Sequence, residues 1–437
     1  MPPTASASTA TVRLLDSFRE VRRTTSNLSA PLSSEDMMVQ SCAEASPVKW
    51  HLAHTTWFYE TFILREFSAG YTAFDPDFYW LFNSYYNSLG EMPEKKLRSS
   101  FSRPSLDAIL AYRAHVDAAM STLLSDAVDD EVSRRVRLGL HHEQQHQELI
   151  LTDIKHALFT NPLHPAYMES APLTSATVIA PPLEWTSFNP GLTDIGVSPD
   201  PGDLESFAFD NETPRHSVFV APFALANRLV TCAEYLAFME DGGYTRPELW
   251  LAEGWSTMRA EGWQAPLYWR RANQTQSGWC VYTLRGFHAL EDISETPVCH
   301  LSLFEADAFA RWSGHRLPTE FEWEVAARTV PLAAPANLLD TVNLHPVTAG
   351  GGLGLSQIFG DVWEWTQSGY TGYPGYKPLP GALGEYNGKF MSSQVILRGG
   401  SCVTPATHIR ATYRNFFGPA TRWQFSGLRL AQDVRNA

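Results

Sequence analysis

What this chain lacks narrows its options first. No apolar run approaches the ~20 residues that a helix needs to cross a bilayer. The opening MPPTASASTATVRLL has no basic stretch followed by an apolar core, so it does not read as a secretory leader. These absences predict a cytoplasmic protein with no membrane partner. Positive charge is also short, with 33 Lys and Arg against 47 Asp and Glu and a formal net charge of -14. Such a balance repels a phosphate backbone, and nucleic acid is not expected as a partner. Cys42, Cys232, Cys280, Cys299 and Cys402 are odd in number, far apart and form no CxxC pair, which argues against a disulfide framework and a thiolate zinc site. Any metal must rest on His and carboxylate ligands.

What is present starts with His-His-Glu-Gln-Gln-His at 141–146. His142 and His146 are one helical turn apart, roughly 5–6 Å between Cβ atoms, so both can reach one ion. The surrounding pattern predicts helices over 11–27, 46–68, 105–126 and 131–159, separated by Pro- or Gly-bearing turns, which suggests a four-helix bundle. In the last helix Val136, Gly139, Leu140, His142, His146, Leu149, Ile150, Asp153 and Ala157 follow the 3 and 4 spacing of one buried stripe. Both histidines therefore point inward, where unpaired polar groups are costly, and this favours a metal. His142-Glu143-x-x-His146 also satisfies the HExxH pattern of zinc peptidases, with Glu143 as general base and a third ligand expected downstream. Upstream, Trp50-His51-Leu52-Ala53-His54 offers histidines at i and i+3, both inward only if the stripe is wide. His54 is the preferred third ligand and His51 a core or capping residue.

At 437 residues with 44% hydrophobic content and 14 Trp, the chain has material for at least two cores. Residues 161–187 carry Pro162, Pro165, Pro172, Pro181 and Pro182 among Ser, Thr and Ala, a composition that sustains neither a helix nor an inner strand. The expected division is a helical bundle at 10–165, a linker at 166–185 and an irregular α+β domain at 186–435, with helices near 231–241 and 303–313.

The order of W-x-L-A-H and H-E-Q-Q-H on two bundle helices resembles the DinB-like bundle of the ergothioneine-biosynthesis sulfoxide synthases. The second half agrees. Leu317-Pro318-Thr319-Glu320-Phe321-Glu322-Trp323-Glu324, Gly360-Asp361-Val362-Trp363-Glu364-Trp365-Thr366, Leu397-Arg398-Gly399-Gly400-Ser401 and Phe425-Ser426-Gly427-Leu428-Arg429-Leu430 resemble the formylglycine-generating-enzyme fold, which has C-type-lectin-like character. Each motif alone reads as turns and core aromatics, but four in order specify the fold. The formylglycine-generating enzymes bind copper through a cysteine pair after RGGS. This chain has only Cys402 there, which reads as a small buried hydrophobe.

The resemblance implies an Fe(II)-dependent enzyme that joins the sulfur of a cysteine-type substrate to the imidazole carbon of hercynine with O2. His54, His142 and His146 would be the ligands. Three neutral imidazoles leave up to three positions open on an octahedral ion, whereas zinc is satisfied by four ligands and has no redox role. It further implies Gln145 and Asn415 as partners of the hercynine carboxylate, Phe416 and Phe417 beside its trimethylammonium group, and Arg98 and Arg103 facing the thiol substrate's carboxylate. A ring face is worth about 0.5–2 kcal/mol to such a cation, and a guanidinium fork matches a carboxylate bidentately. Tyr85 and Tyr86, in a loop after the second helix, are the expected proton donors; Tyr370, Tyr373 and Tyr376 are the alternatives. By the same resemblance, a branch with such an N-terminal tyrosine pair goes with free cysteine and the other branch with γ-glutamylcysteine, so free cysteine is the expected donor. An ovothiol- or selenoneine-type synthase, an HExxH zinc peptidase and a non-enzymatic lectin-like binding protein are the competing readings.

Overall fold

Helix periodicity and caps account for most of the first half of the chain. The computed structural model describes residues 9–168, 178–198, 206–271, 278–332, 336–352 and 354–434. Four long helices, Thr9–Ser29, Val48–Tyr59, Leu106–Leu123 and Asp130–Thr160, form the first of two compact units. Ser105 caps the third by accepting from Ala108 N at 3.3 Å, and Asp129 caps the fourth by accepting from Val132 N at 2.8 Å. The second helix departs from the expected 46–68 span. After Tyr59 it widens into a π turn, Glu60–Leu64, before a last turn at Arg65–Phe67. The buried Glu60 carboxylate sits at this bulge and accepts from Tyr71 Oη at 2.7 Å and Tyr112 Oη at 2.8 Å. A further short helix, Phe78–Leu81, precedes the Tyr85–Tyr86 loop.

The fourth helix is buried against several neighbours. Gly139 meets the second helix so closely that an added Cβ would lie 2.7 Å from Tyr59 Cε1 and 3.1 Å from Phe58 Cε1. One turn on, Glu143 accepts from Arg22 Nη1 at 3.0 Å, Arg113 Nη2 at 2.8 Å and Thr25 Oγ1 at 2.7 Å. One residue of offset turns a helix by about 100°. His142 and Glu143 therefore serve separate neighbours.

The second unit holds the described residues within 163–198, 210–377 and 387–434. Its four-stranded sheet runs in the order Asn415–Phe417, Val395–Arg398, Trp363–Gly369, Ser426–Gly427, with only the last pair parallel. A three-stranded antiparallel sheet joins Trp185–Phe188, Phe223–Ala226 and Ala431–Asp433. Helices Cys232–Glu240 and Leu303–Trp312 lie where expected, while Ala252–Glu261 and Glu320–Ala327 were not foreseen. Capping boxes at Thr231/Glu234, Ser302/Glu305 and Thr319/Glu322 start three of the four. The four signature motifs meet in the core. Arg398 donates to Glu320 at 2.9 Å and Glu324 at 3.1 Å, Arg429 donates to Glu364 at 2.9 Å, and Trp363 N donates to Phe425 O at 2.8 Å.

Of the proline-rich linker, 169–177 lie outside the described residues. The flanking parts are bonded into the second unit: Tyr282 Oη donates to Pro165 O, Arg228 Nε to Pro181 O at 2.6 Å, and Glu184 N to Asn227 Oδ1 at 2.9 Å. Among the described residues, the first unit also includes chain from beyond the bundle, at 206–209 and 378–386.

Gly139→Ala should raise helix propensity by ~1 kcal/mol but force apart two packed helices at a typical cost of about 1–3 kcal/mol. The expected result is a net loss on the order of 1 kcal/mol, read as a lower melting temperature of the helical signal. A rise would show that the close approach does not constrain the pair.

Candidate metal centre

Every residue of Val48–Tyr59 is buried, so the stripe is wide enough for both His51 and His54 to face the fourth helix. The His54 ring centre lies 5.0 Å from that of His142 and 4.9 Å from that of His146. One ring nitrogen from each of the three falls within 4.8 Å of the others. His54 Nδ1 donates to Phe82 O at 2.7 Å, which leaves its Nε2 as the lone-pair nitrogen. His142 is buried and neither of its nitrogens has a hydrogen-bond partner. A buried polar atom without a partner is costly, and a metal ion would satisfy one of these two. Burial holds His142 down to about 3, and keeps His54 and His146 well below the ordinary histidine range, each helped by a neighbouring imidazole. All three are therefore neutral near pH 7, the form a metal requires. The donors present fit an ion held by three imidazoles.

Glu143 does not face this cluster as a general base would. Burial pushes its carboxyl up, but Arg22, Arg113 and Thr25 prevail and hold it at about 2. A carboxylate so fully paired is structural. The peptidase reading loses its base, and its third histidine lies upstream rather than downstream.

The remaining expected site residues fall in two groups. In the first unit, Arg98 is 5% exposed, donates to Ser46 Oγ at 2.9 Å and Ser84 Oγ at 2.8 Å, and lies 3.4 Å over the Trp50 ring. No carboxylate pairs with it among the described residues, and burial lowers it to about 10. Arg103 is exposed, in a loop whose carbonyls at Phe101 and Pro104 accept from Lys49 Nζ at 2.7 and 2.9 Å. Tyr86 packs against Trp57 and Phe62, and its buried hydroxyl has no hydrogen-bond partner. Tyr85 is the more open of the pair and takes a left-handed φ of 71°. Burial raises its hydroxyl, but Lys95 and Arg98 outweigh that and hold it below the ordinary tyrosine value. Gln145 is half-buried on the fourth helix.

In the second unit, Asn415, Phe416 and Phe417 form one edge strand. Phe416 stacks on Tyr370 at 4.0 Å and Phe417 packs edge-on to Trp423 at 5.6 Å. The alternative tyrosines are engaged: Tyr370 Oη accepts from Asn211 at 2.9 Å, Tyr373 Oη donates to Glu320 at 3.3 Å, and Tyr376 Oη donates to Asp210 at 3.2 Å.

Sequence reasoning missed two contributors to the first unit. Tyr386 sits edge-on to His142 at 5.6 Å and stacks on Phe209 at 5.8 Å. Glu385 accepts from Asn87 N and Ser88 N, both at 2.9 Å, just after the tyrosine pair. Both come from segments more than 200 residues away in the chain, and no local pattern announces them.

Comparison with known proteins gives the family. Residues 17–150 match the DinB superfamily and 189–434 the sulfatase-modifying factor enzyme 1-like domain. A hercynine oxygenase of Mycolicibacterium smegmatis is 30% identical over 89% of this chain and 91% of its own length. One of Mycobacterium tuberculosis is 31% identical with the same coverage. The ergothioneine biosynthesis protein 1 of Schizosaccharomyces pombe is 27% identical over 57% of this chain and 31% of its own. The class so defined is an oxygen-dependent oxidoreductase made of a DinB-like helical bundle and a formylglycine-generating-enzyme-like α+β domain. Within that class, the chain belongs to the ergothioneine-biosynthesis sulfoxide synthase family. Among the described residues no helix is long and apolar enough to cross a membrane.

Two outcomes test the centre. Ala at His54, His142 or His146 should abolish stoichiometric Fe(II) or Co(II) binding, measured anaerobically; retention by any one variant would remove that residue from the set. Glu143→Gln should keep metal binding but lose on the order of 3 kcal/mol, since it leaves two guanidiniums without their shared carboxylate. Because the folded value of about 2 is below the ordinary 4.5, Glu143 stabilises fully above pH 4.5 and progressively less as pH falls toward 2. Denaturation of Glu143→Gln between pH 5 and 2 should lack that dependence.

Proposed function

We propose that this protein is an Fe(II)-dependent sulfoxide synthase that joins the sulfur of cysteine to the imidazole carbon of hercynine. The observation that carries the reading is the set of three buried, neutral imidazoles in a chain matched over 89% of its length by hercynine oxygenases. The balanced reaction consumes one O2. The imidazole C–H and the thiol S–H are lost, a C–S bond forms, one oxygen atom ends on sulfur and the other leaves as water. His54, His142 and His146 would hold the Fe(II), which would supply the one-electron chemistry that lets O2 react with a thiol.

The protein's own residues have to hold the two substrates and deliver a proton. Arg98, buried with no carboxylate partner, is a cation suited to the carboxylate of the thiol substrate. Exposed Arg103 carries the same role by resemblance, with no added support from its surroundings. Gln145 and Asn415 are proposed amide partners for hercynine's carboxylate, with Phe416 and Phe417 offering ring faces to its trimethylammonium group. The unpartnered Tyr86 hydroxyl supports an N-terminal tyrosine as proton donor, while the O–H groups of Tyr373 and Tyr376 are given to carboxylates and Tyr370 accepts from Asn211. Tyr85 stays in the proposal as the second member of the pair. By the family resemblance a tyrosine donor at this position goes with free cysteine, and γ-glutamylcysteine is the second thiol to test.

Product mass after an oxygen pulse separates the readings. The anaerobic Fe(II) protein is mixed with hercynine or histidine and with cysteine, γ-glutamylcysteine or a selenium donor. Hercynylcysteine sulfoxide is the expected product, and an ovothiol- or selenoneine-type product would replace the assignment. Tyr86→Phe should keep the ring and the fold but remove the O–H. General acid catalysis is typically worth about 10²–10⁴-fold, enough for thiol oxidation to cysteine sulfinate to overtake. An unchanged product ratio in Tyr85→Phe and Tyr86→Phe would leave the pair without a chemical role. Arg98→Leu should raise KM for the thiol roughly ten- to 150-fold, for a charged hydrogen bond of about 1.5–3 kcal/mol, with little change for hercynine.

A further inference from the structure

His51 is not needed as a ligand, yet it is bonded at both ends. Its Nε2 lies 3.0 Å from Asp153 Oδ2 and its Nδ1 lies 2.7 Å from His146 Nδ1. The same Asp153 oxygen accepts from Ser46 N at 2.8 Å. Asp153 is 4% exposed, His51 2% and His146 8%, so water does not compete for these bonds.

The order of donors follows from one end. An ionised carboxylate only accepts, so His51 Nε2 must carry hydrogen. A neutral imidazole carries a single N–H, and with that N–H on Nε2 the His51 Nδ1 is an acceptor. His146 Nδ1 must then be the N–H that donates to it, and the lone pair of His146 falls on Nε2. A leucine at position 51 would fill the space without burying polar atoms, so packing alone does not explain this pair. Nor does the contact serve the other ligands: His54 is fixed by Phe82 O, and neither nitrogen of His142 is hydrogen-bonded.

We infer that Asp153 and His51 form a positioning relay that sets the tautomer and ring orientation of His146 so that its Nε2 faces the metal. The inference rests on the three-histidine centre proposed above. Carboxylate or carbonyl partners of ligating histidines are a general device, and their loss typically costs 10–100-fold in metal affinity. Here the carboxylate acts through a second imidazole. Arg98, bonded to Ser46 Oγ, touches the residue whose N–H holds Asp153. The relay and the proposed thiol-carboxylate site share that serine.

The test uses Co(II) titrated anaerobically into the full-length protein, with affinity and the visible d–d spectrum as readouts. His51→Phe keeps a planar ring and removes both nitrogens; its Kd should rise 10–100-fold with a changed spectrum. Asp153→Asn keeps the shape and an acceptor oxygen, and should give a smaller rise. The double variant should bind no more weakly than His51→Phe, because Asp153 acts only through His51. Parental affinity in both single variants, or independent multiplication of their effects, would overturn the relay. If the parent binds no Co(II) in a His54-dependent way, the metal centre itself fails, which is a different result. Ring ¹⁵N spectra of the metal-free parent, which needs no variant to fold, should show His146 protonated at Nδ1 and His51 at Nε2. The opposite tautomers would also overturn it.

Discussion

Burying four imidazoles in one helical core is the constraint that organises the first unit. Neutral imidazole carries one donor and one acceptor nitrogen, and each buried without a partner costs about 1–3 kcal/mol. The bundle meets part of that demand itself: Phe82 O takes one His54 nitrogen, while Asp153 and His51 together take one from His146. What is left over is one nitrogen each on His54 and His146 and both on His142, and three of these converge within 4.8 Å. A core that pairs its outer nitrogens with hydrogen bonds and leaves its inner ones facing a common point is built for an ion. The same geometry depends on Gly139, since a side chain there would hold the second helix away from the fourth.

The fourth helix shows how adjacent residues of one motif divide their work. His142 and His146 face the second helix, and Glu143 and Gln147 face the first, where Gln147 donates to Val21 O at 2.9 Å and Thr25 Oγ1 at 3.1 Å. In a zinc peptidase the glutamate of HExxH must reach a water on the metal. Here two arginines hold it toward a different neighbour, and its low pKa follows from them. The letters of a motif are thus insufficient, because the neighbours that bury each face decide which chemistry they serve.

Much of this was legible in the sequence because it is periodic. The helices at 11–27, 105–126 and 131–159 end near their predicted limits, the stripe that includes His142, His146 and Asp153 is buried apart from a half-buried Leu149, and the three histidines come together. The π turn at Glu60 was not legible, since it answers to Tyr71 and Tyr112, tyrosines well beyond its own turn. Tyr386 and Glu385 were not legible either, because they reach the bundle from far along the chain. Asp153 and His51 lay between these extremes. An acidic residue in an apolar stripe and a histidine three before a ligand each demanded a buried partner, and only the fold shows that they meet that demand in each other.

The second unit keeps an architecture while dispensing with one chemistry it can host. Its signature residues are occupied in holding the fold: Arg398 links Glu320 and Glu324, Arg429 is spent on Glu364, and Trp323, Trp363 and Trp365 are at most 1% exposed. Breaking such a buried pair typically costs 3–5 kcal/mol, so these positions are held by stability whatever reaction the protein runs. Cys402 is fully buried behind the Gly399-Gly400 turn, its N–H donating to Asp361 O at 3.0 Å, and burial of this kind suits an inert thiol rather than a copper ligand. Redox chemistry therefore has to come from elsewhere, and among the described residues the one metal-competent cluster is in the bundle. Two folds that each carry a metal site elsewhere can be joined without conflict when only one of them retains its ligands.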